Sequence, residues 1–151
     1  MTFQDKSKLY EKCVAFLDER IDTAQTALLQ AQEASNDDTK SSAGDKFETT
    51  REMMQQDISR NKRLLMDAKQ NLLVLESIKD APTSETVRNG SLVATSEGTF
   101  YISVSAGQLR IDDTTYFAVS ALSPIGQQLL GKRIHEQFSF NGKQYLINEI
   151  I

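Results

Sequence analysis

The 151-residue sequence predicts an α+β protein: an antiparallel coiled-coil hairpin over 1–80, then a small antiparallel β domain with one short helix over 81–151. Three observations carry this. Before Ala81 there is one glycine, Gly44, and no proline, whereas the rest of the chain holds six glycines and both prolines. The first part also repeats its apolar residues at heptad spacing. From Leu92 onward the sequence changes to short β-branched and aromatic runs separated by turn residues. Helices followed by a block of strands is the pattern of an α+β chain.

In the first helix, Tyr10, Val14, Leu17, Ile21, Ala24, Leu28 and Ala31 alternate steps of four and three. In the second, Phe47, Arg51, Met54, Ile58, Asn61, Leu65, Ala68, Leu72 and Leu75 do the same, with two polar members. Such a seam is narrower than the stripe of a helix lying on a large core, and two seams joined by a short segment form a hairpin. About 30 residues per helix, at ~1.5 Å each, predicts a rod of roughly 45 Å. Asn61 at a seam position predicts a register-fixing polar contact, or a place at the seam's wet edge. The reversal falls in 35–45, where serine, asparagine, aspartate and glycine favour caps and turns. Pro82 stops the second helix because its ring cannot continue the hydrogen-bond ladder.

Strands are predicted at 92–94, 99–104, 115–119, 137–140 and 144–150. Asn141-Gly142 between two such runs signals a tight hairpin, and Asn89-Gly90 marks a turn where the β part begins. Ser123-Pro124 followed by Gly131 reads as a capped helical turn, with Ser123 as N-cap, Pro124 as first helical residue and Gly131 at the C-terminal end.

Composition excludes several function classes. A hydrophobic content of 39% and a charged content of 25% are globular values. The formal charge of −4 offers no general attraction to phosphate backbones, so free DNA binding is not expected. A single cysteine, Cys13, excludes an intramolecular disulfide and a cysteine-based zinc site within one chain. It falls beside the seam and reads as a packed small apolar residue. His135, the single histidine, has no second histidine or cysteine with which to bind a transition metal. Met53 and Met54 read as flank and seam. With no apolar signal core and no run of ~18–20 apolar residues, a cytoplasmic protein without membrane contact is expected. No phosphate-binding glycine loop or nucleophile elbow occurs.

One group remains that the fold does not obviously need. Asp45 and Glu48 stand where the second helix begins, and from Glu33 to Asp57 there are seven acids against three bases. Asp45 as N-cap with Glu48 three residues on is a capping-box pattern. The same pair also puts two carboxylates at the far end of a stiff hairpin, where they could carry negative charge into a deep hole. Arg60, Lys62 and Arg63 form a basic cluster on the second helix, either a solvated face or a contact for RNA or an acidic wall.

The segment Ser123-Pro124-Ile125-Gly126-Gln127-Gln128-Leu129-Leu130-Gly131-Lys132, with 87–93 before it and 144–150 after it, resembles the C-terminal domain of the bacterial Gre factors (GreA/GreB). Gly44-Asp45-x-x-Glu48 is similar to the Gly-Asp-x-x-Glu at that family's hairpin tip. The resemblance covers nearly the whole chain in the same order. It implies an FKBP-like fold for the β domain and a partner, RNA polymerase. In that family the domain docks outside the secondary channel, and the hairpin reaches inward to the nascent RNA 3′ end. By position, Ser123, Pro124, Ile125, Leu129 and Leu130 would carry the docking contacts. Asp45 and Glu48 would share a magnesium ion with the polymerase and stimulate cleavage of backtracked RNA. The nuclease would be the polymerase, and this chain a cofactor of it rather than an enzyme. Three departures, one of them the lack of the family's acidic signature around Val104 to Asp113, point to an alternative, a Gre-homologous channel regulator or inhibitor that does not cleave. Phe47-Glu48-Thr49-Thr50-Arg51-Glu52 replaces the family's usual Ser-Glu-Asn-Ala-Glu-Tyr continuation and keeps only the first acid in register. His135-Glu136 stands where the family commonly has Gly-Asp. A proline isomerase is the third reading, from the FKBP-like fold alone; few aromatics could line a proline pocket, and no such activity is expected.

Overall fold

Thr2 starts the first helix through a reciprocal cap. The Asp5 N–H donates to Thr2 Oγ1 at 3.1 Å, and the Thr2 N–H donates to Asp5 Oδ2 at 2.9 Å. Helix α1 then runs Phe3–Asp38 and helix α2 Gly44–Ser77, both longer than the heptad pattern alone required. The computed structural model describes residues 1–38 and 44–151, without the side chains of 37, 38 and 44–47. The middle of the reversal, 39–43, and the side chains of Asp45 and Phe47 therefore lie outside the described residues.

The chain divides into two compact units, Leu17–Asn71 and Met1–Phe16 with Leu72–Ile151. The first unit is the helical hairpin proper. Its buried positions are Leu17 and Ala24 on α1 and Ile58, Asn61 and Ala68 on α2, all members of the heptad seams. Asn61 is 8% exposed, and its Nδ2 donates to Asp57 O at 2.9 Å, one turn back in its own helix. Its described bond is thus intrahelical, which satisfies the amide inside the seam without a partner on α1.

The second unit joins the start of α1 and the end of α2 to a six-stranded sheet. Its strands are β1 Leu92–Thr95, β2 Gly98–Ser103, β3 Gly107–Ile111, β4 Thr114–Ser120, β5 Gln137–Phe140 and β6 Lys143–Ile150. The sheet order is β3-β4-β2-β1-β6-β5. Neighbours pair antiparallel except β2 and β4, which run parallel from Phe100↔Phe117 to Ser103↔Ser120. The sheet is mostly, not wholly, antiparallel because β3 lies outside β4 and forces β4 to run beside β2 in the same direction. Strand β3 was not expected from sequence, since Gly107, Gln108 and Arg110 lack strand character. It exists through pairing with β4 across the Ile111-to-Thr114 turn, where Asp112 takes a φ of 53°.

Alternation along β2 sorts the two faces. Phe100 and Ile102 join Val87, Val93, Leu129, Phe138, Ile147 and Ile150 in one core, closed by helix α3, Pro124–Leu129. Phe138 stacks on Tyr145 with ring centroids 4.9 Å apart. On the other face, Tyr101 and Ser103 are buried with the helix ends: Ser103 Oγ lies 3.8 Å from Cys13 Sγ. This explains a phase difference at the start of α1. Leu9 and Cys13 are fully buried there, while Tyr10 and Val14 are only half-buried, because this stretch packs in the sheet unit rather than along the hairpin seam.

Candidate functional site

The acidic pair belongs to the first turns of α2. The backbone is helical from Gly44, so positions 45 and 48 are three apart on one helix and share a face. Glu48 is exposed, and none of the described ion pairs includes it. The positive end of the helix dipole favours acids at these positions. Carboxylate oxygens are the hard donors that suit Mg²⁺, which keeps several waters and needs few protein ligands; of the two, only the Glu48 side chain is described. Among the described residues, no three or more of His, Cys, Asp and Glu gather in a group fit to hold a metal ion. Farther along α2, Arg60, Lys62 and Arg63 are all exposed, and Arg60 pairs with Asp57 at 3.1 Å.

The 123–132 segment is built as the spacing predicts. Ser123 is the N-cap of α3: its Oγ accepts from the Gly126 N–H at 3.1 Å and donates to Ser120 O at 2.6 Å. Pro124 opens the helix, and Gly131 follows its end with a φ of 81°. The five candidate docking residues do not share one environment. Leu129 is fully buried and anchors the helix in the core, so it presents no outward side chain. Ser123 and Ile125 are half-buried, while Pro124 and Leu130 are exposed.

Two residues that sequence reasoning passed over lie on either side of this helix. Leu122 is 83% exposed and Ile134 42% exposed. With Leu130 they give the segment an apolar exterior that the core does not use. The readable signal was that Leu122 precedes the N-cap and Ile134 follows the C-terminal glycine, outside any helical or strand period. His135 is exposed and backbone-anchored, its N–H donating to Ile147 O at 2.8 Å.

Cys13 is fully buried. Burial pushes its thiol from an ordinary value near 9 up to about 11, partly offset by the contact with Ser103. Burial, and after it the neighbouring Cys13 and Tyr10, push the Tyr101 phenol upward as well. Among the described residues no helix is long and apolar enough to cross a membrane. Compared with known proteins, no family model matches the chain, and no curated protein matches it.

Proposed function

We propose that this chain is a Gre-like transcription elongation factor that binds RNA polymerase and inserts its hairpin into the secondary channel. One combination carries the reading: an acid pair opens the second helix of a long hairpin, and a sheet module with a Ser-Pro-capped helix follows it. The Gre factors have the same parts in the same order. The partner on this reading is the polymerase, with the nascent RNA 3′ end near positions 45 and 48. Mg²⁺ shared between those acids and the polymerase would supply water activation and stabilisation of the leaving oxygen. The chain's own part is to hold Asp45 and Glu48 on a stiff helix start and to grip the polymerase through Leu122, Pro124, Leu130 and Ile134. Hydrolysis then belongs to the polymerase, and the chain acts in the cytoplasm as its cofactor.

The test is cleavage of backtracked RNA in stalled elongation complexes. The wild type should accelerate cleavage at least tenfold, and Asp45→Asn with Glu48→Gln should abolish the acceleration while binding persists. Thr49-Thr50-Arg51 in place of the family's tip residues favours a second reading, a channel-binding regulator without cleavage. On that reading the wild type gives no acceleration, competes with a cleavage-active factor, and lowers RNA synthesis even with both acids neutralised.

A further inference from the structure

Lys6 is the single charged side chain that the fold buries among the described residues, at 8% exposure. Its Nζ donates to Ala81 O at 3.2 Å, which leaves two ammonium protons without a described protein acceptor. None of the described ion pairs includes it. The charge it senses most is another cation, Arg88, whose guanidinium donates to Pro82 O at 3.5 Å. Burial first, and Arg88 second, lower the Lys6 pKa. Lys6 and Arg88 thus both serve the carbonyls just past the end of α2. That role accounts for one donor on each and leaves Lys6 without an ion-pair partner among the described residues.

A hollow of about 280 Å³ opens beside it, with Lys6, Ser7, Lys79 and Asp80 as polar lining and Phe3 and Tyr101 among its walls. That is far more room than the ~30 Å³ share of one water in the liquid. Two cations, Lys6 and Lys79, line it against one acid, Asp80, and Arg88 adds a further positive charge near Lys6 from outside the lining. We propose that this hollow binds a phosphate-class oxyanion, free or as a phosphate monoester, on Lys6 Nζ, with Lys79 and Ser7 completing the contacts. Donors come from the first turns of α1 and from the segment after α2, so several oxygens of a tetrahedral anion are served at once. Charge-assisted bonds from an ammonium to an oxyanion are roughly twice as strong as neutral ones. The site shares no residue with the acidic pair or the docking segment, so it holds or fails independently of the polymerase reading.

The experiment is a titration of the full chain with inorganic phosphate, against chloride at matched ionic strength, followed by ¹H–¹⁵N correlation spectra. Saturable shifts confined to residues 3–7, 79–82 and 88, with a raised Tm, are expected. Lys6→Met should abolish them. Lys79→Ala, at an exposed position, should weaken binding about tenfold and leave the fold intact. Methyl phosphate in place of phosphate separates the sources: shifts with both indicate a monoester site, and shifts with phosphate alone indicate a site for the free ion. Absence of saturable shifts in the wild type overturns the proposal. So do shifts scattered over the surface lysines, or shifts that Lys79→Ala leaves unchanged.

Discussion

At the residue scale, two side chains show how local surroundings set chemistry. Cys13 is the chain's one thiol, fully buried against Ser103. Because its folded value is about 11 against an ordinary value near 9, the native state keeps the proton after the unfolded chain has begun to lose it. Its contribution to stability is complete below about pH 9 and is lost as pH rises through about 11. Two pH units correspond to roughly 2–3 kcal/mol, and Cys13→Ala should flatten that part of the stability curve in denaturant titrations from pH 8 to 11. The same burial predicts that a thiol reagent labels Cys13 at pH 8 only after denaturation. His135 has a φ of 74°, a left-handed backbone that glycine adopts freely and a histidine does not. The position where the Gre pattern commonly has glycine therefore keeps the glycine conformation without the glycine. His135→Gly should stabilise the protein by about 1 kcal/mol, read as a shift in the urea midpoint at constant slope.

At the element scale, α3 is fixed by one close approach. A Cβ at Gly126 would come within 2.1 Å of Ser120 O, a backbone atom that the cap itself holds. Gly126→Ala should therefore destabilise the protein by about 3 kcal/mol or more, seen as a lowered Tm. The heptad seams behave differently. Asn61 is a buried polar member whose described bond stays inside α2, so it takes no stabilisation from the opposite helix. Asn61→Leu should raise stability by about 1–2 kcal/mol, and light scattering should report whether the purely apolar seam still gives one association state. Both helices, the α3 cap and the Asn-Gly turn were legible in the sequence because their signals are local: spacing, a Ser-Pro pair, a residue that accepts positive φ. Strand β3 and the parallel β2–β4 pair were not. Neither has a local signal, and both arise only when distant segments pair.

At the scale of the whole molecule, the proposed function separates gripping from reaching. If Leu122, Leu130 and Ile134 form the grip, Leu122→Asp with Leu130→Asp should lower polymerase affinity at least tenfold, about 1.4 kcal/mol, in a pull-down or interferometry assay. Leu122→Asp alone should leave the Tm unchanged, because Leu122 is 83% exposed. A loss of Tm instead would mean that Leu122 serves the fold. Much of this molecule follows from its sequence alone: the α+β class, two long helices, the end of the second helix before Pro82, and the acids where that helix begins. Each is written in composition or in a short period, which the backbone obeys wherever the segment ends up. Outside the hairpin seams, tertiary structure alone decided which residues each face buries. It shifted the start of α1 onto Leu9 and Cys13, sent Leu129 inward while leaving Leu122 and Ile134 outside, and enclosed Lys6 beside Arg88. Those outcomes depend on which surfaces meet when segments some 75 to 90 residues apart come together, as at Lys6–Ala81 and Cys13–Ser103, and no local pattern encodes such a meeting.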